Sequence, residues 1–132
     1  MKAFVLDASL AMEWFVASAS PHVLEKRTLL DERVAVVPAL WRFEVMNVVA
    51  TWRKRGDVTG AQGAWILNSV LQLPLAVIDE GNSEAIVDLA SSHQLSAYDA
   101  TYLRAAILSG EPLATLDKDL IKAARREGIE CL

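Results

Sequence analysis

The chain has 132 residues, 53% of them apolar, a net charge of −4 and a single cysteine, Cys131. That length suits one domain spanning 1–132 around one core. The composition excludes an internal disulfide and a cysteine-built metal site, and no apolar run approaches the roughly 18 residues of a membrane span.

The chain leads from Met1-Lys2-Ala3 directly into a strand-like run. No signal or transit peptide is expected, and the lone cysteine fits a reducing cytoplasm. An acidic chain does not advertise nucleic-acid binding, yet a site built of carboxylates makes a domain acidic and bound cations reverse the local sign. The mean hydropathy of +0.26 points to buried interfaces.

The first predicted strand covers 2–6 and ends at Asp7, with a short helix beginning near Ser9. Ser20 before Pro21 marks a second helix, an N-cap followed by proline at the first helical position. A strand over 34–37 leads to Pro38, which is expected to open a helix that runs to Arg55 and stops at Gly56-Asp57. Thr59 and Gln62 have capping-box spacing for a helix ending near Gln72, and a third strand covers 75–78. Asn82 caps a helix ending near His93, and Ser96 begins another over 97–109 that Gly110 and Pro112 terminate. A fourth strand at 113–116, a helix over 118–127 and a fifth strand at 129–131 complete the chain. Aliphatic strands alternating with helices predict an α/β protein, a three-layer α/β/α sandwich with a parallel sheet of about five strands.

Four carboxylates stand where an apolar chain has least reason to place them. Asp7 and Asp117 end strand-like runs, Asp99 opens a helix, and Glu44 interrupts the hydrophobic stretch 40–52. Three have a plain alternative: Asp7 and Asp117 are good N-caps, and Asp99 suits the third position after Ser96. Glu44 has none, unless Arg42 or Arg104 neutralises it. In parallel sheets ligands bind beyond the carboxyl ends of the strands, where all four acids are expected to meet around one or two divalent cations. Desolvated carboxylates otherwise demand a partner. Ser9 and Thr115 are placed to orient a carboxylate or a water, and Asp119 is a fifth acid, more simply a first-turn residue favoured by the helix dipole. His22 and His93 show no ligand spacing and are expected at the surface. Arg53-Lys54-Arg55 looks like a patch for RNA but reads better as cations favoured at a helix carboxyl end, and Arg125-Arg126 is open to the same two readings. Trp14, Phe15, Trp41, Trp52 and Trp65 exceed what so small a core requires, and Trp14 and Phe15 in particular are expected to meet a partner.

The segments 4–9, 38–45, 95–100 and 112–117 resemble the successive motifs of PIN-domain ribonucleases, and their order and spacing are similar to VapC-type toxins of toxin–antitoxin pairs. The resemblance implies a Rossmann-like sheet, Mg²⁺ or Mn²⁺ as cofactor, cleavage of RNA, homodimerisation and inhibition by a cognate antitoxin. It assigns Asp7, Glu44, Asp99 and Asp117 to the acidic catalytic quartet. Asp7, Asp99 and Asp117 are the expected metal ligands, with Ser9 and Thr115 beside them. Phosphotransfer through an aspartyl phosphate is a rival for an Asp after the first strand. Its dehalogenase-like form wants a second Asp where this chain has Ser9, and its receiver form wants an acidic pair that is missing. A catalytically silent protein-binding module of the same fold is the non-enzyme alternative.

Overall fold

The computed structural model describes residues 2–16, 18–79 and 81–132. Four parallel strands, β1 (Lys2–Leu6), β2 (Arg33–Pro38), β3 (Leu75–Ile78) and β4 (Leu113–Ala114), lie in the order β3-β2-β1-β4. The most apolar strand takes a central place: Phe4, Val5 and Leu6 of β1 are fully buried between β2 and β4. β3 is an outer strand, and Ala76 and Val77 on it are exposed.

Helices flank this sheet, in the order α1 (Ala8–Glu13), α2 (Pro21–Lys26), α3 (Leu29–Glu32), α4 (Leu40–Arg55), α5 (Gly60–Leu71), α6 (Ser83–His93), α7 (Ala97–Ser109) and α8 (Lys118–Arg126). α7 packs against β1, β2 and β4, and alanines 100, 105 and 106 are fully buried along it. Such small side chains let a helix approach a sheet closely. α6 and α8 pack on α7, while α1, α4 and α5 pack on one another. A Cβ at Gly63 would lie 2.7 Å from Arg53 Nε and 3.3 Å from Val49 Cγ1, so glycine sets the α4–α5 distance. Among the described residues no helix is long and apolar enough to cross a membrane.

Several expectations are corrected. The fifth strand is reduced to one parallel bridge between Leu113 and Cys131, and β4 stops at Ala114 instead of residue 116. Thr115 and Leu116 turn away to enter α8. Pro38 closes β2 instead of opening α4; a proline at a strand's last residue removes no ladder bond that the strand needs. Trp14 follows α1 and is only 4% exposed, its indole Nε1 donating to the Val23 carbonyl at 2.9 Å, so it staples α1 to α2 as a core residue instead of standing surplus at the surface. Trp41 is likewise core, Phe15 and Trp52 are half-buried, and Trp65 is the tryptophan left exposed, at 62%. His93 is no surface residue: its side chain is 10% exposed and lies 3.4 Å from Glu127.

Candidate functional site

Parallel strands carry their carboxyl ends to one edge of the sheet, and the chain turns there into helices. Asp7 follows β1 and is the N-cap of α1; Asp117 follows the β4 segment and is the N-cap of α8. Asp99 sits in the first turn of α7, after the Ser96 cap, and Glu44 in the second turn of α4. The capping roles are therefore real for Asp7 and Asp117, whereas at α7 the Ser96 hydroxyl accepts the Asp99 N–H and the Asp99 carboxylate caps nothing among the described residues.

Asp7 is 6% exposed, yet among the described residues no cation pairs with it. Its Oδ2 accepts hydrogen bonds from Thr115 Oγ1 at 2.6 Å and Ser9 Oγ at 2.9 Å, which fix the carboxylate's orientation. Thr115 Oγ1 in turn accepts the Asp117 backbone N–H at 3.1 Å, so one hydroxyl joins the two strand-end acids. Asp117 commits Oδ1 to the N–H groups of Asp119 and Leu120.

Glu44 is half-buried and receives a short hydrogen bond from the Tyr102 hydroxyl, not an ion pair from Arg42 or Arg104. Burial raises its pKa, the Tyr102 bond opposes the rise, and the charges of Asp7 and Asp99 add to it. Burial likewise raises Asp99, together with the charges of Asp117, Asp7 and Asp119. These mutual effects put the four predicted acids, and Asp119, in one electrostatic neighbourhood. Among the described residues the one ion pair is His93–Glu127, so no lysine or arginine relieves the repulsion.

Sequence reasoning missed Tyr102. It is fully buried, donates to Glu44, accepts the Ala8 N–H at 3.4 Å, and burial beside Glu44 drives its own pKa up. A signal was present: Tyr102 is three residues after Asp99 on the same helix face, and a phenol in an apolar run needs a polar partner.

All-oxygen donors of high negative charge suit hard divalent cations, so the residues fit such an ion in type. Their spacing is looser than expected. Among the described residues no three His, Cys, Asp or Glu side chains stand close enough together to hold a metal ion as they are. Beside Glu44, Leu40, Phe43, Asn47, Val48 and Tyr98 line a depression of about 440 Å³.

The fold and site define an α/β domain with uncompensated acids gathered beyond the carboxyl ends of a parallel sheet. The sequence pattern of the PIN domain family matches residues 4–126, and the chain belongs to that family. No curated protein matches the sequence. Among solved structures, PAE2754 from Pyrobaculum aerophilum superposes with a TM-score of 0.77 at 21% identity, covering 98% of this chain and 83% of that one. VapBC2 from Rickettsia felis, bound to a DNA fragment from its promoter, gives 0.71 at 14% identity, with 98% and 97% covered. VapC20 from Mycobacterium tuberculosis, described as a Sarcin-Ricin loop cleaving toxin, gives 0.63 at 14% identity, with 92% and 95% covered. At these identities the likeness establishes the fold.

Proposed function

We propose that the chain is a metal-dependent endoribonuclease that acts as the toxin of a cytoplasmic toxin–antitoxin pair. The observation that carries this reading is a rim of four carboxylates, free of ion pairs among the described residues, in which Asp7 is oriented by two hydroxyls. A fold-only or protein-binding role gives no reason to keep Glu44 and Asp99 in a field that raises both pKa values.

Asp7, Asp99 and Asp117 would hold Mg²⁺ or Mn²⁺. Such an ion, when bound, makes water a nucleophile near neutral pH and stabilises the oxygen that leaves phosphorus. The protein's own part is positional. Thr115 and Ser9 hold Asp7, the cap of α8 holds Asp117, and Tyr102 holds Glu44 by Oε1. Glu44, with its raised pKa, suits the group that orients the attacking water and accepts its proton.

The VapC20 and VapBC2 likenesses support RNA as substrate and a cognate antitoxin as inhibitor. The half-buried Phe15 and Trp52 and exposed Trp65 border an apolar cavity of about 430 Å³ that suits an amphipathic antitoxin segment. A homodimer is the proposed free form.

Incubating the purified chain with single-stranded RNA tests the reading. Cleavage is expected with Mg²⁺ or Mn²⁺, leaving 5′-phosphate and 3′-hydroxyl ends, and neither with a chelator nor in Asp99→Asn. Folded wild-type protein that leaves RNA intact with both cations would refute it.

A further inference from the structure

We propose that α8 is a phosphate rail, on which Lys122 and Arg126 bind the RNA backbone beside the acidic rim. This rests on the nuclease reading above. The helix carries Lys118, Lys122, Arg125 and Arg126, four of the chain's 13 lysines and arginines, all exposed. None of them forms an ion pair among the described residues.

Helix stability does not account for this arrangement. Lys118, Lys122 and Arg126 recur every fourth residue, so they share one face, and like charges at that spacing oppose helix formation. Lys118 occupies the first helical position, where the dipole disfavours a cation, although Arg125 and Arg126 near the last turn have its support. An anion docked outside the row would offset that cost.

Grooves border the row on two sides. On one, Lys118, Ile121, Lys122, Arg125 and Arg126 line a groove of about 530 Å³. On the other, Ser92, His93 and Gln94, where α6 ends, face Asp119, Lys122 and Arg126 across a notch of about 330 Å³. The notch is built for a polar occupant: a hydroxyl, an amide and two cations border it. His93 Nε2 lies 3.4 Å from Glu127, which engages that carboxylate and leaves the two cations to a ligand. Asp119 is the one carboxylate within the lining, and its charge also acts on Asp99. That places the notch next to the acids.

The rail begins at the rim, because Asp117 caps its helix, and Lys118 to Arg126 extends about 12 Å along it. A strand whose scissile phosphodiester meets the acids therefore has neighbouring phosphates within reach of Lys122 and Arg126. An acidic protein is the competing occupant of such a surface, but the anion density nearest a nuclease centre is that of its own substrate.

The test is fluorescence anisotropy of a labelled single-stranded RNA, titrated with protein at several salt concentrations, with Ca²⁺ in place of Mg²⁺ to slow hydrolysis. Lys122→Glu/Arg126→Glu is expected to weaken binding about tenfold or more. It should also reduce the slope of log affinity against log salt by about 1.4, the share of two single-strand phosphates. Lys122→Arg/Arg126→Lys should bind as wild type does. Lys54→Glu/Arg55→Glu, which removes two cations at the end of α4, should leave the slope unchanged. The rail is refuted if the α8 reversal keeps wild-type affinity and slope, or if the α4 reversal loses as much. In either case a wild type that still cleaves RNA leaves the nuclease reading standing. A wild type that neither binds nor cleaves RNA overturns both.

Discussion

Asp7 is held at two hydroxyls and its charge acts on Glu44 and Asp99, so its charge matters more than its shape. Asp7→Asn keeps the shape. Mg²⁺ or Mn²⁺ should raise the melting temperature of the wild type by mass action and leave that of Asp7→Asn unmoved; equal increments would remove Asp7 from the ligands. Tyr102→Phe deletes one hydroxyl with two partners and should destabilise the protein by about 1–2 kcal/mol. Because the Tyr102 bond lowers the Glu44 pKa, its loss should also shift the acid limb of the cleavage–pH profile upward, a change that simple loosening would not produce. The metal-free protein should itself be pH-sensitive. Glu44 and Asp99 titrate higher folded than unfolded, so the folded chain binds more protons across that window. Stability is then fully present below the ordinary carboxylate range and declines as pH rises through the raised values. Melting curves in chelator, compared with Glu44→Gln/Asp99→Asn, check this: the double variant should be flatter.

At the scale of elements, what was legible followed from local chemistry. The Thr59–Gln62 capping box, the Ser20, Asn82 and Ser96 caps and the β1 and β3 bounds are all as the sequence signals them. Boundaries that depend on tertiary pairing were not legible. Residues 115–116 are apolar enough for a strand, but Thr115 turns its hydroxyl to Asp7 and Asp117 instead. Residues 129–131 have one bridge partner among the described residues, Leu113, and too little ladder to form a strand. Trp14 read as surplus because nothing local reveals that its N–H reaches the Val23 carbonyl. The same limit hid Tyr102 and the spacing of the acids: Tyr102's grip on Glu44 spans 58 residues. One element is improvable. α6 ends at Gln94 in the left-handed conformation, φ 55°, where an L side chain is strained. Gln94→Gly should stabilise the fold by about 0.5–1 kcal/mol, read by urea denaturation.

For the whole molecule, apolar exposure is a prominent surface fact. Phe43, Trp65, Val77 and Tyr98 are each at least 60% exposed, and all but Val77 border cavities, which is more than scattered surface residues explain. The isolated chain is expected to dimerise or aggregate at micromolar concentration, as sedimentation would show, and an antitoxin to solubilise it. Trp65→Ala should change stability by under about 0.5 kcal/mol but weaken antitoxin binding by about 2 kcal/mol or more, measured by calorimetry. Unchanged affinity would move the antitoxin to another surface.

The hydroxyl of Thr115 has a temporal meaning as well as a spatial one. It meets Asp7 across 108 residues of chain and accepts from Asp117 in the same turn. A chain being synthesised from its amino terminus exposes Asp7 and Ser9 first and Thr115, the other hydroxyl that orients Asp7, nearly last. Asp7 therefore lacks its Thr115 hydrogen bond until the last part of the chain has packed beside β1. On the nuclease reading proposed above, that late completion would spare the message and the ribosome still making the chain.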